Sequence, residues 1–368
     1  MGYDLKLISC SANEELANNI SKYLDIKICK SKTVKFADGE CFVQVNENVR
    51  GSDTFIVQSM SDPVNDNFME MLLMIDALKR ASVNRINVVI TYYAYARQDR
   101  KTKSRVPISA ALVAKLIESA GADHVICVDL HAGQIQGYFA IPVDNIGVRS
   151  VIFPALLKEV PGLWHGKITI VSPDAGGGSR ADSFLQYVQS EYPDQFADAQ
   201  MAVMNKWKKT KSSDQECWND FKQNTTNESS SSSSTSTNGT SSNDVAVNST
   251  NMPWMMELVG EVKGRDCIIV DDLVDTAGTL CSAAKCLKEN GARKVYACVT
   301  HALLTGPALK RIDETAELDL LVVSNSINHK QEIKDHPKIH IVDIGALLGE
   351  TIRRVHNDES LVRKDFLN

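Results

Sequence analysis

Apolar positions along the chain fall into two repeating patterns. Short apolar-rich runs recur at residues 5–8, 53–58, 85–91, 124–128, 167–171, 267–270, 294–299 and 318–323. Their length and Val/Ile content are those of buried strands. Between them, residues 67–81 and 108–120 carry apolar side chains three and four positions apart, the spacing of helices with one buried stripe. Strands alternating with such helices predict an α/β protein of mainly parallel sheets flanked by helices, whose ligands bind at the carboxyl ends of the strands. Arg97, His131, Asp174 and Asp271 each follow or close one of these runs.

One stretch breaks the pattern. Residues 223–252, QNTTNESSSSSSTSTNGTSSNDVAVNSTNM, carry almost no large apolar side chains, so ordering them would cost roughly 1–2 kcal/mol per residue with little buried in return. The segment is predicted to be disordered. Its Asn-x-Ser/Thr triplets at Asn224, Asn238 and Asn248 follow from composition, and phosphorylation is the functional alternative.

Bulk properties narrow the function. With 368 residues the chain can hold two α/β domains. A net charge of −6 without a long basic run argues against nucleic acid as the main partner. The nine cysteines include no C-x-x-C pair and no zinc-ligand spacing, which fits a reducing, cytoplasmic setting. No run reaches membrane-spanning length, and Lys6 stands where a myristoyl signal needs Ser or Thr. Gly162 to Thr169 superficially resembles a P-loop but is one residue short between its glycines and precedes a strand.

The chemistry concentrates in Cys267 to Leu280, CIIVDDLVDTAGTL. An apolar run delivers Asp271 and Asp272, and the turn Asp275-Thr276-Ala277-Gly278-Thr279 opens a helix. Carboxylates can accept hydrogen bonds from vicinal ribose hydroxyls, and the unpaired N–H groups of a helix start can hold a phosphate. Gly278 would let the backbone come close. A plain strand, Asx turn and capped helix would leave the same trace. Further short motifs occur in order: Phe36-Ala37-Asp38-Gly39-Glu40, Tyr95 to Lys101 followed by Ser104 to Ser109, Asp129-Leu130-His131-Ala132 with Gln134 to Gly137, and Ser172-Pro173-Asp174-Ala175-Gly176-Gly177.

Together these motifs resemble the ribose-phosphate diphosphokinase (PRPP synthetase) family over nearly the whole chain outside the Ser/Asn-rich stretch. The 271–279 loop alone also resembles type I phosphoribosyltransferases. The resemblance implies two tandem type I phosphoribosyltransferase-like domains, at about 1–148 and 149–342, with a C-terminal helix at about 343–368 packing back on the first and an insertion at 212–252. It implies synthesis of 5-phosphoribosyl 1-pyrophosphate from ATP and ribose 5-phosphate, with release of AMP.

The same resemblance distributes roles. Phe36, Asp38, Glu40, Arg97, Gln98 and Lys101 would bind ATP, the 36–40 segment reaching a neighbouring subunit's site. Asp271, Asp272, Asp275, Thr276, Ala277, Gly278 and Thr279 would bind ribose 5-phosphate. His131 and Asp174 would be associated with Mg2+, His131 through a water, since a hard cation prefers oxygen. Lys206 and Lys208 would match a mobile catalytic loop, with Lys208 standing where the family has arginine; the two cations differ, because only arginine offers a planar fork. Arg50, Arg105, Gln136, Asp144, Asn145 and Ser360 resemble the lining of a regulatory site at which phosphate activates, although Gly133 and Gly147 stand where hydroxyl-bearing residues are usual. Three readings stay open: a eukaryotic-type catalytic subunit with a loop insertion, a regulatory subunit assembling with active paralogues in a homo- or hetero-oligomer, and a type I phosphoribosyltransferase.

Overall fold

The structure, a computed structural model, describes residues 3–208 and 254–361. The expected insertion at 212–252 lies outside the described residues, as do the side chains of Lys206 and Lys208. The chain divides into one compact unit, Met1–Met204 with Leu258–Asn368, and a second, Asn205–Glu257, of which only the strand ends at 205–208 and 254–257 are described.

Two mainly parallel sheets organise the large unit. The first runs Leu5–Ser9, Asp53–Ser59, Arg85–Tyr92, His124–Val128, Val143–Ile146 in spatial order, all pairs parallel. Successive strand residues face opposite sides of a sheet, and the core follows that rule. Leu7, Phe55, Val89 and Ile126 join one buried cluster, while their neighbours Ile8, Ile56, Val88 and Val125 join the other. This is why the strands read as continuous apolar runs.

The second sheet has the order Trp254–Val259, Gln200–Lys208, Ile168–Ser172, Asp266–Val274, Lys294–Ala302, Leu320–Ser324, Ile339–Val342. Here the winding reverses between Ile168–Ser172 and Asp266–Val274, which pair in parallel. Such a reversal leaves a crevice outside the carboxyl ends of the two strands. Asp174 and the Asp271–Asp272 pair belong to those two strand ends.

All eight runs read as strands are strands, and the helices Val64–Arg80 and Ser109–Ala120 fall where the spacing put them. The antiparallel hairpin Ser31–Lys35/Cys41–Val45 escapes an apolar reading because its residues are exposed or half-buried. The expected C-terminal helix is shorter than 343–368, running Gly345–His356; Asp358 then turns left-handed at φ 54° and ends that direction of chain. It packs on the helix Glu14–Leu24. A Cβ at Gly345 would sit 2.7 Å from Asn19, and one at Gly349 2.5 Å from Tyr23, so glycine is what allows the close approach.

The same helix closes a buried ion cluster. Asp53, 1% exposed, accepts a two-pronged bond from Arg85 (2.8 and 2.6 Å) and bonds from Asn87 (2.7 Å) and His356 (2.7 Å). Burial alone would raise its pKa, but these donors outweigh it and hold the carboxyl below the usual range. Asp53→Asn is therefore expected to cost about 3 kcal/mol in urea unfolding, as for a buried pair that loses one partner. Because the folded pKa is depressed, the stability Asp53 contributes is present above its unfolded pKa of about 3.9 and disappears as pH falls through the lower folded value. Acid titration of the variant should lack that component.

Candidate active site

A cleft of about 350 Å³ opens at the winding reversal, lined by Arg97, His131, Pro173, Asp174, Asp271, Asp272 and the turn 275–279, among others. Arg97 and His131 come from the first sheet's loops and the rest from the second, so the lining is assembled from both.

The strand carrying the acidic pair extends further than its apolar run, to Val274. Asp271 and Asp272 thus lie within a strand, and their environments diverge. The Asp272 side chain is 3% exposed and takes His131 Nδ1 at 2.8 Å and Arg180 Nη1 at 3.2 Å. Burial works against its charge, but the bonds from His131 and Arg180 prevail and keep it ionised. Asp271, with 28% of its side chain exposed, meets Arg180 at 3.5 Å; burial, then the neighbouring Asp272 charge, push its carboxyl upward. His131 is itself raised by its bond to Asp272. With Nδ1–H given to a carboxylate, Nε2 is its remaining ring nitrogen, the arrangement that fixes an imidazole's tautomer and orientation.

The turn that follows is tied from outside. Asp275 accepts Arg97 Nη1 at 2.8 Å and the Thr305 hydroxyl; burial alone would raise its pKa, and these two donors bring it below the usual carboxylate range. Ala277, not Gly278, is the left-handed residue, with φ 57° and ψ 8°. The helix Gly278–Glu289 begins directly after it. Asp174 is exposed, and its Oδ1 accepts the Gly177 N–H at 2.9 Å.

Other expected site residues lie elsewhere. Phe36 is exposed on the hairpin loop with its ring 6.0 Å from that of Phe42, and Glu40 lines a separate pocket beside Glu70 and Met69; Asp38 caps the same turn through the Glu40 N–H. Gln98 accepts Ser109 Oγ at 2.9 Å, and Lys101 is exposed. Of the residues resembling a regulatory lining, Asp144 pairs with His124 at 2.9 Å, Asn145 accepts the Leu130 N–H, the Ser360 carbonyl accepts Arg354, and Arg50 and Arg105 are exposed. Gln136 donates to the Gly133 carbonyl.

Sequence reading missed three contributors: Arg180, Thr305 and Arg311. Arg180 bridges both carboxylates and also donates to the His131 carbonyl at 3.2 Å. The only trace it left was a basic residue soon after the Gly176-Gly177-Gly178 run. Among the described residues no cluster of three or more His, Cys, Asp or Glu side chains is arranged to hold a metal, and no helix is long and apolar enough to cross a membrane.

The seam between the two sheets beside this cleft is polar. His301, fully enclosed, donates Nε2–H to the Val128 carbonyl at 3.1 Å, Thr300 Oγ1 donates to Asp129 at 2.7 Å, and Thr91 Oγ1 donates to the Ser326 carbonyl at 2.7 Å. Burial lowers the His301 pKa, so the ring is a neutral strut.

Comparison with known proteins gives a consistent result. Residues 5–121 match the N-terminal domain of ribose phosphate pyrophosphokinase, and residues 170–364 match the phosphoribosyl synthetase-associated domain. The chain is 42% identical over 357 residues to the ribose-phosphate pyrophosphokinase of Hyphomonas neptunium, spanning 97% of this chain and 98% of that one. It is 41% identical over 361 residues to that of Chromobacterium violaceum, spanning 98% and 94%. The fold matches the crystal structure of phosphoribosylpyrophosphate synthetase from Mycobacterium smegmatis with a TM-score of 0.76 and 33% identity, over 96% of this chain and 99% of that one.

Proposed function

Because the chain belongs to the ribose-phosphate pyrophosphokinase family, we propose that it transfers the β,γ-pyrophosphoryl group of ATP to the C1 hydroxyl of ribose 5-phosphate, yielding 5-phosphoribosyl 1-pyrophosphate and AMP. The observation that carries this reading is the cleft itself. It joins Arg97 and His131 from one sheet to Asp174 and the 271–279 segment of the other, as a reaction between two differently bound phosphate esters requires. Little covalent chemistry is asked of the protein; position and charge do most of the work.

Ribose 5-phosphate lies with its hydroxyls toward Asp271 and Asp272 and its phosphate on the N–H groups of the 276–279 turn. Arg97 and His131 face the ATP phosphates. A hard cation suits this donor set, since Asp174 offers an exposed carboxylate and Asp271 lines the same cleft. Asp174, with His131 acting through water, would hold Mg2+, which neutralises the charge on transferring phosphates. Arg180 keeps the two carboxylates and the His131 loop in register while substrates exchange.

The same reading makes the chain a eukaryotic-type cytoplasmic subunit with an insertion at 212–252, and sets the domain boundary near residues 148 and 149. The exposed position of Phe36 on a hairpin, outside the residues that line the cleft, supports sites completed by a neighbouring subunit, with Phe36, Asp38 and Glu40 serving the neighbour's ATP and Gln98 and Lys101 the chain's own. Lys206 and Lys208 close over the phosphates, and Arg50, Arg105, Gln136, Asp144, Asn145 and Ser360 form a phosphate-responsive regulatory site. A second reading, a regulatory subunit with little activity of its own, is favoured by Lys208 in place of arginine.

The deciding measurement is AMP formation by the purified chain from ATP, Mg2+ and ribose 5-phosphate. AMP and 5-phosphoribosyl 1-pyrophosphate in equal amounts are expected. Formation of ADP instead would defeat the pyrophosphoryl-transfer reading. Silence of the chain alone, with stimulation of an added active paralogue, would favour the regulatory subunit.

A further inference from the structure

Arg311 stands outside the 276–279 turn, on the short helix Ala308–Glu314. Its Nη1 donates to the Thr276 carbonyl at 2.8 Å. A trans peptide directs its C=O and the next residue's N–H to opposite sides. Holding the Thr276 carbonyl outward therefore turns the Ala277 N–H inward, toward the cleft lined by the rest of the turn. Ala277 is 3% exposed. Among the described residues no acceptor takes the N–H groups of Ala277, Gly278 or Thr279. Those donors are unspent, the state of a nest that awaits an anion.

Two further features tie the exposed Arg311 guanidinium to this turn. Ala277 holds φ 57°, a conformation that is unfavourable for a residue with a side chain and must be held by its surroundings. And a Cβ at Gly278 would lie 3.3 Å from Arg311 Nη1, so the missing side chain makes room for the arginine. The sequence alone had suggested that Gly278 leaves room for the ligand. The segment leading to Arg311 also braces the turn's other end, where the Thr305 N–H donates to the Asp275 carbonyl at 3.0 Å.

We propose that Arg311 is a positioning residue for the sugar 5-phosphate: by anchoring the Thr276 carbonyl it fixes the Thr276–Ala277 peptide in the one orientation that presents the backbone donors to a phosphate. This rests on the function proposed above and adds to it a residue that acts on one substrate only. Arg311 serves the phosphate of ribose 5-phosphate and leaves ATP untouched.

The test is calorimetric titration of the full chain with ribose 5-phosphate and, separately, with ATP and Mg2+, for the wild type, Arg311→Ala and Arg311→Lys. Arg311→Ala should weaken ribose 5-phosphate by about tenfold or more, the scale of one charge-assisted hydrogen bond, with ATP within about twofold. Arg311→Lys, which keeps a donor for the carbonyl, should recover most of the loss. A merely structural role would lower the melting temperature and weaken both ligands alike, and that result overturns the proposal. So does unchanged ribose 5-phosphate binding in Arg311→Ala. Should Arg311→Ala fail to fold, Arg311→Met carries the same expectations. Absence of ribose 5-phosphate binding in the wild type would instead overturn the underlying function, and the role of Arg311 with it.

Discussion

Replacing both Asp271 and Asp272 with asparagine is expected to raise the ribose 5-phosphate concentration at half-maximal rate by roughly a hundredfold, while that for ATP moves by less than about threefold. Asparagine keeps the shape of each side chain and removes its charge. Each charge-assisted bond to a sugar hydroxyl is worth about 1.5–3 kcal/mol, and about 1.4 kcal/mol is a factor of ten. The single changes should separate two roles. Asp271→Asn, at the more open of the two positions, should act mainly on ribose 5-phosphate affinity. Asp272→Asn also releases His131 and Arg180, so turnover should fall as well. Equal losses for ATP and ribose 5-phosphate in the double variant would contradict the placement of the sugar.

His131→Ala carries the second large effect. Turnover should drop by roughly a hundredfold or more, the usual scale for deleting one group that faces developing phosphate charge. Stability should hardly change, because the ring is 37% exposed and Asp272 keeps Arg180 at 3.2 Å as its counter-charge. The two substrate affinities should stay within severalfold, which distinguishes loss of a transition-state contact from loss of binding. Asp174→Ala should behave alike at limiting Mg2+. Near-normal turnover of His131→Ala at saturating Mg2+ would remove the histidine from the mechanism.

Much of this is legible in the sequence. Apolar runs give the eight buried strands because both faces of a parallel sheet are covered, and motif order gives the cleft. What stayed hidden depends on packing between distant segments. Asp271 and Asp272 look equivalent in sequence, yet one is a half-open carboxyl and the other a buried anchor, a difference created by Arg180 and by a loop from the other sheet. Arg311 is 35 residues from the carbonyl it holds, and no periodicity marks it. The hairpin Ser31–Lys35/Cys41–Val45 and the four-residue strand Val143–Ile146 are too exposed or too short to leave an apolar signature.

The docking of Gly345–His356 onto Glu14–Leu24 sets a timetable for biogenesis. Leu348 and Ile352 share a buried cluster with Leu16 and Ile20, and His356 completes the shell around Asp53. A nascent chain emerging from the ribosome makes the helix Glu14–Leu24 long before the helix Gly345–His356 that packs on it. Until then the stripe of Leu16 and Ile20 is bare and Asp53 lacks one donor. Domains are generally expected to fold as units, N-terminal first, during synthesis; here the helix Glu14–Leu24 stays uncovered until residues 345–356 have emerged, and chaperone demand should be highest for chains stalled shortly before residue 345.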